Sequence, residues 1–325
     1  MTMEHQAFPV ESTDGWTLDL KRFVDPARHD RSRRPLVAVP GYAMNTFILG
    51  FHPTGLSMVE ALCASGLEVW TADLRAQGGS SRDHWRRGTF GLRQLSLDDL
   101  PRSLDAVREH TLSNHQDVDL LGCSLGASMV YAYLGHHPHD HGVGQVVSVG
   151  GPLRWVETHP AMRAAFTSPR VAGLLPVFGT RALARVALPI LTRAPALLNL
   201  YMNASRIDLS RADKLVNTVE DPVPYINRQV AHWMKNQDLV VDGLNITDAL
   251  SGLAGPDVLC ILANKDGIVP PAAARSVEGV LGADRVTVLE VGTPDRWYAH
   301  ADLFIGEDCQ RDVFDPMCAW LEERS

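Results

Sequence analysis

The sequence predicts an α/β fold in which a mostly parallel central sheet is flanked by helices and interrupted by one inserted helical cap. Short apolar strands alternate with helical patterns over the first 152 residues. That alternation stops over 153–250 and resumes from 251 to the end. Strand and helix in strict alternation require a parallel sheet with right-handed crossovers. A chain of 325 residues accommodates one such core, 1–152 with 251–325, plus the cap.

Residues 16–23, WTLDLKRF, alternate apolar and polar after Asp14-Gly15, the pattern of a half-buried antiparallel strand next to a hairpin. LVAV at 36–39 is a short, wholly apolar run, as a strand covered on both faces requires. A helix ending near Gly66 leads to a strand over 67–74 and then to the Gly-rich turn RAQGGSS. Residues 97–112 place Leu100, Leu104 and Val107 at helical spacing ahead of the strand VDLLG at 118–122. After the turn opened by Gly122, the pattern predicts a helix from beyond Ser128 to about Leu134, then the strand QVVSV at 145–149. Beyond the cap come a strand at 258–263, a helix at 272–281, a strand at 286–291 and a terminal helix ending near Glu323.

Composition narrows the function classes. Hydrophobic residues at 45% and charged residues at 21% describe an ordinary globular chain rather than a disordered one. A formal charge of -8 works against nucleic acid as a partner. The five cysteines are scattered without C-x-x-C spacing, so they read as reduced, mostly buried thiols. No charged region followed by an apolar one marks a secretory signal at the N-terminus, and no apolar run reaches the roughly 18–20 residues of a bilayer span. The expected compartment is therefore the cytoplasm.

Gly122-Cys123-Ser124-Leu125-Gly126 is a G-x-S-x-G sequence set directly between a predicted strand and a predicted helix. Glycines permit the strained turn that lifts a serine oxygen clear of the sheet. The helix N-terminus and the Leu125 N–H would supply positive potential where an oxyanion develops. A lone serine is a weak nucleophile, so a base and an orienting acid must follow. Asp266 follows the strand at 258–263, and His300 follows the strand at 286–291 after a loop. Taken alone, such an Asp reads as a turn former and such a His as solvated, but the order Ser, Asp, His joins them as a triad.

These segments resemble the α/β-hydrolase superfamily from about residue 16 onward, particularly the branch with acid-lipase-like and polyester-synthase-like members. VPGYAMN at 39–45 is similar to the family's oxyanion loop, with Pro40 where the family carries His, and implies the Tyr42 N–H as a second oxyanion donor. DLRAQGGS at 73–80 resembles the family's D-x-R-G-x-G-x-S turn, with Ala76 at the usual Gly. The segment HADLFIG at 300–306 looks like the H-x-D-x-x-x-G ending of lipase-like members, which makes His300 the base and Asp302 structural. Serine at the elbow disfavours the Cys chemistry of polyester synthases and the Asp chemistry of dehalogenase-like and epoxide-hydrolase-like members.

The expectation is a serine hydrolase of esterase or lipase type acting on a small-molecule ester with an apolar acyl group, with no cofactor required. Acyltransferase or thioesterase chemistry would use the same triad, and a slow-turnover binding protein could retain it. His136, His137, His139 and His141 cluster around Pro138 and read as a solvated linker rather than a metal site. Arg181, Arg185 and Arg193 interrupt the apolar cap and suit either packing over the site or transient contact with a lipid surface, packing being favoured. Trp155, Phe178, Trp233 and Met234 are candidates to line an acyl pocket.

Overall fold

The computed structural model describes residues 3–82, 89–166, 168–172 and 198–324. Its main sheet has eight principal strands: β1 (Glu4–Glu11), β2 (Trp16–Val24), β3 (Leu36–Val39), β4 (Val69–Asp73), β5 (Val118–Cys123), β6 (Val143–Val149), β7 (Asp257–Ala263) and β8 (Val286–Val291). They lie in the order β1-β2-β4-β3-β5-β6-β7-β8, and the short Ser81–Arg82 pairs with β2. β2 runs antiparallel to both its neighbours, β1 and β4, and every later pair is parallel.

Period-two burial sorts the parallel strands into two apolar layers. Val37, Trp70, Leu120, Val146 and Cys260 face one cluster, and their chain neighbours Leu36, Val69, Leu121, Val147 and Leu259 face the other. Helices cover both faces, which is why these strands read as continuous apolar runs. α1 (Met58–Ala64) starts from a reciprocal Ser57/Glu60 capping box. α2 (Leu100–His110) buries Leu100, Leu104 and Val107 along one stripe, as the spacing predicts.

Two elements depart from the sequence reading. The helix after Ser124, α3 (Leu125–His136), begins at once rather than beyond Ser128. Residues 125–135 are all buried, so no amphipathic period marks the boundary. β1 (Glu4–Glu11) is the second departure, a strand that no apolar alternation in the sequence marks. It is an edge strand, largely exposed, and it tolerates Pro9 because an edge has unpaired donors to spare.

Between β6 and β7 the described residues form a largely helical insertion, of which α4 (Pro224–Asn236) is the longest element. It also holds a hairpin, Val240–Val241 with Leu244–Asn245, turned by Asp242 and Gly243 at φ 48° and 82°. The Asp-Gly pair is the sequence signal for that turn. α5 (Ile246–Ser251) packs on α3, with Ile246 and Ala249 against Gly135. Phe178, Arg181, Arg185 and Arg193 lie outside the described residues. No helix among the described residues is long and apolar enough to cross a membrane.

After β4 the chain turns through DLRAQGGS. Arg75 anchors this turn by a bidentate, fully buried pair with Asp99, Nε–Oδ2 2.8 Å and Nη2–Oδ1 2.6 Å. Ala76 sits there at φ 60°, the left-handed region. A Cβ in that region costs about 1–2 kcal/mol, whereas glycine's extra unfolded-state freedom costs about 0.5–1 kcal/mol. Ala76→Gly is therefore expected to raise the unfolding free energy by about 0.5–1 kcal/mol in urea titration. An unchanged or lowered midpoint would contradict the strain at this turn.

Candidate active site

Ser124 lies between the end of β5 and the start of α3 with φ 52° and ψ -123°. A non-glycine residue there is strained, and the surroundings hold it. Its N–H donates to Val149 O at 2.8 Å and its carbonyl accepts from Ala127 N at 3.0 Å. A Cβ on Gly122 would stand 2.3 Å from Ala127 Cα, and one on Gly126 would stand 2.5 Å from Val39 O. Both obstructions are backbone atoms, so neither position has room for a side chain. The turn therefore forms only with glycine on either side of Cys123-Ser124-Leu125.

Asp266 and His300 are brought together from two strand ends. Asp266 follows β7, and its Oδ1 accepts from Ile268 N and Val269 N, each at 2.8 Å. Its Oδ2 meets His300 Nδ1 at 2.6 Å, with both side chains almost wholly buried. A carboxylate accepts, so Nδ1 carries the proton and Nε2 is left as an acceptor. Gly150, at φ 60°, admits the imidazole: a Cβ there would come within 3.1 Å of His300 Cε1. A Cβ on the adjacent Gly151 would lie 2.8 Å from Ser124 O. Ser124 and His300 thus press on neighbouring residues of one turn, although no hydrogen bond joins their side chains in this structure.

Asp302 stands apart from this pair. It accepts from Ala299 N at 2.7 Å and from Asn203 N at 3.0 and 3.1 Å, holding the backbone on either side of the His300 loop. Burial pushes its carboxyl up to about 6, and the charge of Asp266 adds to the rise.

The 41–42 peptide passes over the elbow. A Cβ on Gly41 would lie 2.9 Å from Ser124 Cβ and 3.0 Å from Cys123 O. Among the described residues, no hydrogen bond occupies the Tyr42 N–H or the Leu125 N–H. Both residues line a cavity of about 20 Å³, room for about one water, whose apolar walls include Met129, Val223 and Ile226. Asp266 borders a separate, open cavity of about 800 Å³ with Leu200, Lys265 and Trp297.

Sequence reasoning missed the contacts that hold the loop. Met44 bridges Val219 of the insertion, Asn45 N donates to Thr218 O at 3.1 Å, and Glu220 N donates to Ala43 O at 2.8 Å. The Tyr42 hydroxyl donates to Asn227 Oδ1 on α4. The available signal was Asn227 itself, a buried polar residue on a face shared with Ile226, Val230 and Ala231. Gln77 also reaches the loop, its Nε2 donating to Gly41 O at 3.0 Å. Trp155 and Trp233 instead pack edge to face in the core, ring centroids 5.6 Å apart, and neither they nor Met234 line the cavity at Leu125. Of the histidine cluster, His136, His137 and His141 are each hydrogen-bonded to backbone. Cys63, Cys123, Cys260 and Cys309 are buried free thiols, and Cys318 is a partly buried one.

A family model described as alpha/beta hydrolase fold matches residues 34–292. Solved structures share the fold over nearly the whole chain at low identity. A carboxylesterase of the ammonia-oxidizing thaumarchaeon Nitrososphaera gargenis is 15% identical with a TM-score of 0.62, covering 98% of each chain. A meta-cleavage product hydrolase from Pseudomonas fluorescens is 12% identical with a TM-score of 0.60, covering 98% of this chain and 99% of its own. The 2-hydroxy-6-oxo-6-phenylhexa-2,4-dienoate hydrolase from a Rhodococcus species is 15% identical with a TM-score of 0.58, covering 99% of this chain and 98% of its own. No curated protein sequence matches the chain.

The Asp266–His300 geometry makes a spectroscopic prediction. In ¹⁵N-labelled protein near neutral pH, the His300 proton should sit on Nδ1 and resonate far downfield. Asp266→Asn should abolish that signal, and Asp302→Asn should leave it in place. A signal that followed Asp302 would reverse the pairing.

Proposed function

Because the chain belongs to the alpha/beta hydrolase fold family, we propose that it is a serine hydrolase that cleaves a carboxylic ester with an apolar acyl group. The observation that carries this reading is the 2.6 Å His300–Asp266 bond, which leaves an imidazole acceptor packed on the same Gly150-Gly151 turn as the strained Ser124. In this reading Ser124 Oγ attacks the acyl carbonyl carbon while His300 Nε2 takes the hydroxyl proton. Asp266 keeps the imidazole oriented and stabilises its cationic form. The carbonyl oxygen, now an anion, accepts from the Tyr42 and Leu125 N–H groups. As the tetrahedral intermediate collapses, the bond to the alcohol oxygen breaks and His300 returns the proton to it. Water then attacks acyl-Ser124 with His300 again as base, releasing the carboxylic acid and restoring the serine.

The helical cap, residues 153–250, supplies Val223 and Ile226 to the wall beside the oxyanion loop, which suits an apolar acyl group, and Glu220 and Asp221 of the same wall disfavour an anionic one. Five free thiols suit a reducing compartment, in keeping with the cytoplasm.

A fluorophosphonate probe and an ester series test this reading. Wild type should be labelled on Ser124, and Ser124→Ala should lose labelling and at least about 10⁴-fold in kcat/KM. Esters of apolar acyl groups should turn over faster than esters of acyl groups that carry a charge. Full activity in Ser124→Ala would remove the nucleophile from the account. A preference for charged acyl groups would remove the acyl-pocket assignment, and turnover of thioesters alone would replace the ester with a thioester substrate.

A further inference from the structure

We infer that Gln77 is a positioning residue that aims the Tyr42 N–H at the developing oxyanion; the inference rests on the proposed hydrolase reading. Gln77 is nearly buried in the turn after β4. Its Oε1 accepts from Leu74 N at 2.9 Å and its Nε2 donates to Gly41 O at 3.0 Å. The neighbours fix which end is which, because exchanging the amide atoms would set N–H against N–H and oxygen against oxygen. Gly41 O and Tyr42 N belong to one peptide group. That group is planar and trans, so its C=O and N–H point in opposite directions and fixing one fixes the other. A hydrogen bond to the carbonyl also polarises the N–H and strengthens it as a donor.

The need for such a tether is visible in the loop. Ala43, one residue on, is in the left-handed region at φ 51°, and Gly41 is pressed against Ser124 Cβ. Among the described residues, Gln77 supplies the one hydrogen bond to Gly41 O. Gln77 is itself held, since its N–H donates to Leu74 O at 3.0 Å and the buried Arg75–Asp99 pair secures the turn. The carboxamide therefore carries the rigidity of the turn after β4 to the carbonyl end of this peptide, while the insertion holds the loop beyond it through the Tyr42 hydroxyl, Ala43 and Asn45.

Two variants separate aiming from mere support. Gln77→Glu keeps the acceptor for Leu74 N but turns a second oxygen toward Gly41 O, and Gln77→Met keeps length without polarity. With a short-chain ester, kcat should fall at least about tenfold in both while KM stays within about twofold, since the affected interaction strengthens only in the transition state. The inhibition constant of a trifluoromethyl ketone analogue should rise by the factor that kcat/KM loses. The deficit of Gln77→Glu should narrow as pH falls toward 5 and its carboxyl regains a proton to donate; that of Gln77→Met should not. Wild-type kcat in either variant, or a loss of activity that follows the folded fraction while the analogue binds unchanged, overturns the role. If wild type neither turns over esters nor labels at Ser124, the hydrolase reading fails and this inference with it. If wild type does both and the variants keep kcat and analogue affinity, only the role of Gln77 fails.

Discussion

Everything at the site depends on the backbone of Ser124 being held in a region that favours glycine. Such a conformation costs on the order of 1–3 kcal/mol, and it persists because its neighbours leave no alternative. Gly122 lets Ala127 close over the strand end, Gly126 lets β3 pass under the helix, and Gly41 lets the 39–45 loop lie on Ser124 Cβ. The Ser124 N–H is committed to Val149 and its carbonyl to Ala127, so the turn cannot relax without losing both bonds. The Leu125 N–H, at the first residue of the helix, is left uncommitted as a consequence.

The sheet supplies the rest of the frame. Parallel order brings the ends of β5, β7 and β8 to one edge, where Ser124, Asp266 and His300 emerge from three separate loops. Each loop is pinned by buried acceptors: Asp266 Oδ1 by the N–H groups of Ile268 and Val269, and the His300 loop by Asp302. The loop over 39–45 differs, because it is held from two sides. Gln77 ties it to the core, while Val219, Thr218, Glu220 and Asn227 tie it to the insertion. The insertion is therefore part of the wall around Tyr42.

The parallel strands were legible because burial on both faces leaves runs such as LVAV and VLCILA with little to disguise them. The elbow was legible because G-x-S-x-G stands where a strand must become a helix, and the pairing of Asp266 with His300 followed from chain order. Other features left no period to read. The start of α3 was hidden because that helix is apolar on every side, and β1 was hidden because most of it faces solvent. Gln77 and Asn227 act through single hydrogen bonds to residues distant in sequence, 36 positions away for Gln77 and 185 for Asn227. No local pattern encodes such a contact; only the fold brings it about. Trp155 and Trp233 show the converse, where bulk and polarity suited a pocket but the packing used them as core.

In the proposed mechanism Ser124 Oγ is the attacking atom, and the Tyr42 and Leu125 N–H groups face the oxygen it leaves charged. A crystal structure of the phosphonylated protein tests this most directly, because the phosphoryl oxygen stands in for the oxyanion. The expected result is a covalent bond from Ser124 Oγ to phosphorus, with that oxygen about 2.7–3.1 Å from both nitrogens. A bond to any other side chain, or a phosphoryl oxygen turned away from both N–H groups, would contradict it.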